Sequence, residues 1–242
     1  MFDQLNSEEV TGAVDRMVVK LLAAAGVDQP PVDAIRIAQR TLGIVVCLDG
    51  SQQARGRAQR SGPQRQIYLR PEPIKERHQW TVAHEIGEHL KTELLRSLDI
   101  EPEQTSCMMG ESLANLFAGR LLVPQAWFST DASALHYDVA ALRERYSSAS
   151  HEVVGMRLLD LPAPCIITIV DNGHIYRRRS NALPVTRTLE PPELQCQEYV
   201  HRYSRKYRVQ EAGWTVYGWP VHQVDWKREI LRSVVEGGFE ST

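Results

Sequence analysis

Through the first two thirds of the chain, apolar positions recur mostly at helical spacing. Between Val10 and Ala25 they fall at Val14, Met17, Val18, Leu21 and Leu22, one face of an α-helix, and Gly26 supplies a stop. Pro30-Pro31 opens a second helix over about Val32–Leu42, closed by Gly43. The β-branched run from Ile44 to Asp49 predicts a strand, and Ile67–Leu69 a second one, stopped by Pro71 and Pro73. Between them, the polar, Gly- and Arg-rich segment to Gln64 reads as a loop or irregular hairpin. Ile74–Leu98 is the longest helix-compatible stretch, and further helices are expected over about Met109–Leu122, Ala134–Tyr146 and Ser150–Leu159. The pattern then changes: CIITIVDNGHIYRRRS alternates around Asn172-Gly173, the signature of a hairpin with a type I′ turn. Pro184–Pro192 reads as a connector, and the remainder, to Glu236, mixes aromatic and charged residues around one more helical segment.

This order predicts an α+β fold, with a mostly helical core and a small β-sheet over residues 1–161 and a β-containing C-terminal appendage over 162–242. Composition supports a real core, since 43% of the 242 residues are hydrophobic. A formal charge of −2 gives no electrostatic basis for the whole molecule to bind nucleic acid directly. The arginines at 55, 57, 60, 65 and 70, and Arg177–Arg179, read as solvated faces. Cys47, Cys107, Cys165 and Cys196 lie far apart and form no CxxC pair, so reduced thiols are expected. The start, MFDQLNSEEV, is acidic and polar, unlike a signal peptide, and no apolar run reaches the length of a membrane span. The expected location is the cytoplasm.

Candidate chemistry sits in TVAHEIGEHL, which places His84, Glu85, Glu88 and His89 on one predicted helix. An HExxH helix presents two histidines one turn apart to zinc and holds the intervening Glu beside the metal's water. Here the second histidine arrives one residue late. Because each helical residue advances about 100°, His84 and His89 would point about 140° apart on a regular helix. A π-bulge, eased by Gly87, would bring them to one face, and this is the preferred expectation. The rival geometry keeps the helix regular and makes Glu88 the second ligand through a carboxylate oxygen.

A third donor is expected from GESLANLFAGRLLVP, where Glu111 begins an ExxAN pattern on a helix with an apolar face of Leu113, Leu116, Phe117 and Leu121. A carboxylate bordering such a face needs a partner, and a metal is one; a salt bridge or a helix-start cap after Gly110 are others. Two imidazoles and one carboxylate make a catalytic zinc set with an open fourth position.

The segments PPVDAIRIAQRTLGI, IYLRPEPIKERHQWTVAHE, ESLANLFAGRLLVP and SHEVVGMRL (with Ser150, Arg157 and Leu158) resemble, in order and separation, the ImmA/IrrE family of metallo-endopeptidases. The resemblance covers about Met17–Leu161. It implies a zincin-like core and a Zn²⁺-dependent peptidase, with Glu85 as catalytic base and His84, His89 and Glu111 around the metal. It also implies a regulatory role against a protein substrate such as a helix-turn-helix repressor. Arg157, His151, Tyr137 and Tyr176 are candidates for stabilising the oxyanion. The rival function is a protein-binding module of the same fold whose altered motif no longer holds catalytic zinc. A further reading makes the segment after Leu161 a sensory domain.

Overall fold

The structure is a computed structural model describing residues 7–101, 106–182 and 184–235, so the polar first residues 1–6 lie outside it. Two compact units are present. One comprises the chain up to Asp131 together with Glu144–Ser150, and the other Ala132–Arg143 together with the chain from His151 onward. The second unit thus includes helical residues ahead of Leu161. Among the described residues no helix is long and apolar enough to cross a membrane.

The first unit begins with α1 (Ser7–Ala25), which buries Val14, Val18, Leu21 and Leu22. After it, α2 (Ala34–Arg36) is capped by Asp33, whose carboxylate accepts the Arg36 N–H, and runs directly into a π-helical turn over Ile37–Thr41. Three strands follow: β1 (Val45–Leu48), β2 (Gly56–Ser61) and β3 (Gln64–Leu69), in the order β1-β3-β2. β1 is parallel to β3, and β2 is antiparallel to β3 with Ala58 opposite Ile67 and Arg60 opposite Arg65. The turn between β2 and β3 is Gly62-Pro63, with Gly62 at φ 58°. Proline cannot adopt positive φ, which excludes a type I′ turn and leaves type II′. The expected loop is therefore in part a strand: GRAQRS has no β-branched or aromatic residue to announce it, and its ladder comes from β3.

Two long helices complete the unit, α3 (Lys75–Arg96) and α4 (Cys107–Leu122), before α5 (Gln125–Ala134). Ser106 caps α4 by accepting the Met109 N–H. The buried face of α3 includes Ala83, Ile86, Leu90 and Leu94, and that of α4 Leu113, Ala114, Phe117 and Leu121. A Cβ at Gly87 would stand 3.0 Å from the Ala114 Cα, 3.2 Å from its carbonyl oxygen and 3.3 Å from the Phe117 Cβ. Gly87 is therefore the point at which the two backbones meet.

The expected π-bulge near Gly87 is not formed, and α3 is α-helical throughout. Its apolar positions explain why. Ile86, Leu90 and Leu94 keep a four-residue spacing across Gly87, and all three are buried. An inserted residue would turn the latter two about 100° away from the core.

The second unit holds α6 (Val139–Arg145, whose last residues fall in the first unit), α7 (His151–Arg157), β4 (Ile166–Asp171), β5 (His174–Ser180), α8 (Pro191–Tyr203), β6 (Tyr207–Glu211), β7 (Trp214–Pro220) and β8 (Arg228–Val235). The helix expected over Ala134–Tyr146 is interrupted at His136 and Tyr137, both at positive φ. The β4–β5 turn has Asn172 at φ 48° and Gly173 at φ 83°, the expected type I′ geometry. Five antiparallel strands run in the order β5-β4-β8-β7-β6. Cys196 and Val200 of α8 pack on Val209, Val216 and Leu231. Beside them, buried Glu193 accepts hydrogen bonds from Nη1 and Nη2 of Arg178, at 2.9 and 2.8 Å. The fold as a whole is α+β, helical in its N-terminal part and β-rich in its C-terminal part.

Overpacking at the helix crossing is testable. Gly87→Ala gains about 1 kcal/mol in helix propensity, yet its Cβ meets backbone that cannot swing aside, a strain that typically costs about 1–3 kcal/mol. The variant should therefore show a net loss of stability in urea titrations. A midpoint equal to or above the parent's would mean that α3 and α4 do not touch there.

Candidate metal centre

The crossing of α3 and α4 places His84, Glu88 and Glu111 together, with one ligand atom of each lying within 4.8 Å of the others. His84 and Glu88 are four positions apart on a regular helix, hence on one face. Glu111 lies in the second turn of α4. The His84 Nε2 is 3.7 Å from Glu111 Oε1, and its Nδ1 is 3.1 Å from Asn115 Oδ1. Asn115 donates its amide to Glu111 Oε1 at 3.3 Å. The Asn115 oxygen can only accept, so the His84 Nδ1 donates to it and Nε2 is the ring nitrogen that faces Glu111. A hydrogen bond on Nδ1 fixes the ring so that Nε2 points into the cluster, as the outer partner of a metal-ligating histidine does. Lys91 donates to Glu88 Oε2 at 2.7 Å and offsets one carboxylate charge. The His84 side chain is 14% exposed and that of Glu111 60%, so the cluster is sheltered on α3 and open at α4.

Glu85 occupies the neighbouring face of α3 and is buried. Strand β2 lies directly on it: a Cβ at Gly56 would fall 2.2 Å from Thr81 Cγ2 and 2.7 Å from Glu85 Oε1. The Ala58 N–H donates to the Glu85 carboxylate. Burial pushes the Glu85 carboxyl above its ordinary range, aided by the charges of Glu88 and Glu111 and opposed by His84 and the Ala58 hydrogen bond.

His89 is not brought to this cluster, contrary to the expectation for the second histidine. Its Nε2 lies 3.2 Å from the Gln66 carbonyl oxygen, to which it donates. Without the bulge it points about 140° away from His84, toward β3. Burial is the largest influence holding its imidazole below the usual value, and the charges of Arg65 and Arg60 add to it. His89 is a neutral link between α3 and the sheet. The signal that favours Glu88 is the same leucine spacing that keeps the helix regular.

The four oxyanion candidates all belong to the second unit. There Arg157 pairs with Asp160, the Tyr137 ring lies 4.6 Å from the Arg232 guanidinium, and Tyr176 lies 5.3 Å from that of Arg228. His151 opens α7.

In fold, the chain resembles a Mycobacterium tuberculosis transcriptional regulator, with a TM-score of 0.70 over 94% of this chain and 80% of that one, at 20% identity. No curated protein matches it. The sequence profile of the IrrE N-terminal-like domain, Peptidase_M78, matches residues 39–159, half of the 242 residues. That stretch runs from the π-helical turn through the whole His84–Glu111 cluster, and by it the chain belongs to the IrrE N-terminal-like, ImmA/IrrE family.

Proposed function

We propose that the first unit carries a zinc-dependent peptidase site in which His84, Glu88 and Glu111 hold the metal and Glu85 is the general base. The observation that carries this reading is the convergence of the three donors within 4.8 Å. One imidazole nitrogen and two carboxylate oxygens are donors that zinc accepts. The presentation of Nε2 by Asn115 supports the fit. Zinc held there would supply Lewis-acid activation of a water and of the scissile carbonyl. Glu85 takes a proton from the attacking water and delivers it to the leaving amine nitrogen. Burial favours the protonated form that must persist between those two events, and the Ala58 N–H fixes which way the carboxylate faces.

Family membership and a structural neighbour described as a transcriptional regulator support a regulatory role and a protein substrate, with a helix-turn-helix repressor the first to test. A second reading, a docking module without catalysis, is favoured by one contact: the Lys91 ammonium already engages one of the two Glu88 carboxylate oxygens.

Metal content separates the readings. Zinc titrations monitored by calorimetry should show one site in the parent. Affinity should fall at least about tenfold in His84→Ala, Glu88→Ala and Glu111→Ala, and by far less in His89→Ala. A parent that takes up no zinc would support the docking module, and loss in His89→Ala but not Glu88→Ala would restore the two-histidine geometry.

Glu85→Gln should bind zinc as the parent does and cleave a repressor substrate about a hundredfold more slowly or worse. Cleavage at the parental rate would remove Glu85 from the chemistry.

A further inference from the structure

The β2–β3 hairpin carries arginines that the peptidase reading leaves unused. Of the five at 55, 57, 60, 65 and 70, the outer members are already engaged. Arg55 and Arg70 reach Glu72 at 3.9 and 2.8 Å, and the Arg57 guanidinium lies 5.1 Å from the Tyr68 ring centre. Arg60 and Arg65 have no carboxylate partner among the described residues. They are also directly opposite each other across the two strands, an arrangement that destabilises a sheet.

Side-chain alternation shows where this pair points. The missing Cβ of Gly56 is aimed at Thr81 and Glu85 of α3, and Ala58 and Arg60 share that face. On β3, Arg65 shares a face with Ile67, which is fully buried. The strand and the helix also run in step. Gly56 is level with Thr81 and Glu85, Ala58 with Glu85, and Gln66, opposite Gln59, with His89. From Gly56 to Arg60 the strand advances about 13 Å, and from Thr81 to His89 the helix advances about 12 Å. Arg60 and Arg65 therefore stand at the His89 end of α3, about 7 Å along β2 from the residue that holds Glu85. Protection of a sheet edge would account for a charge on β2 but not for Arg65, which is on the central strand.

We infer that Arg60 and Arg65 form a carboxylate-binding subsite that selects polypeptide segments carrying an acidic group to one side of the proposed cleavage position. A carboxylate between two guanidinium groups accepts charge-assisted hydrogen bonds from both and relieves their mutual repulsion. An aspartate or glutamate side chain and a chain-terminal carboxylate offer the same chemistry. The inference rests on the peptidase reading for what happens to the segment, but not for its binding.

The test uses the full chain and its Arg60→Gln/Arg65→Gln double variant, loaded with zinc. Fluorescent peptides of one sequence carry either Glu or Gln at each position in turn, each with a free or an amidated C-terminus. Binding is followed by anisotropy and cleavage by mass spectrometry. The parent should bind the best acidic peptide about tenfold more tightly than its Gln counterpart, less so in high salt, and the double variant should bring that ratio close to one. Preference for Glu inside the peptide assigns a side-chain subsite, and preference for the free terminus assigns an end-binding one. A binding preference without cleavage leaves the inference standing and removes the peptidase reading. A parent with no preference, a preference the double variant retains, or an arginine-dependent affinity for oligonucleotides in place of acidic peptides would overturn it.

Discussion

Where α3 crosses α4, the backbone of Ala114 fills the space that a side chain at position 87 would need. Ordinary helix pairs sit 8–10 Å apart, with the separation set by the side chains at the contact; a glycine there places this crossing at the close end. The candidate metal centre depends on that closeness. His84 and Glu88 flank Gly87 on one helix, and Glu111 precedes Ala114 by less than one turn on the other. A wider crossing would carry Glu111 away from the His84 Nε2 and separate Asn115 from His84. Packing of the core and assembly of the donors are thus one event.

The sheet imposes the second constraint. Gly56 lets β2 lie on α3 so closely that a backbone N–H reaches the Glu85 carboxylate. His89 ties the same helix to Gln66 one turn further on. Glu85 is consequently buried and oriented from the strand side, while His84 is oriented from the α4 side by Asn115. One helix divides its faces between the proposed general base and the candidate metal donors, which the 100° advance between neighbours, Glu85 following His84, makes possible.

Much of this was legible in the amino-acid order. The long helices around His84 and Glu111, the β-strand after Gly43 and the type I′ turn at Asn172-Gly173 all follow from apolar periodicity and turn chemistry. The choice between Glu88 and His89 was not settled by the motif, because two histidines invite a distorted helix. What puts Glu88 and not His89 beside His84 is the four-residue spacing of Ile86, Leu90 and Leu94, all buried, which a bulge would break. Strand β2 was hidden for a different reason, since an edge strand of polar residues is specified by its partner and not by its own composition. The strands β6, β7 and β8 were blurred by buried polar residues such as Thr215, Glu229, Arg232 and Ser233, which interrupt the alternation a strand ordinarily displays. Nothing in the sequence pattern foretold the exposure of Glu111, whose apolar neighbours face the other way.

The claim that a regular α3 selects one histidine and two carboxylates is tested most directly by X-ray absorption at the zinc edge of the metal-loaded protein. Scattering from imidazole rings is distinguishable from that of carboxylate oxygens and reports the number of histidines around the metal. The geometry described here predicts one imidazole per zinc, unchanged in His89→Ala. Two imidazoles in the parent, falling to one in that variant, would contradict it.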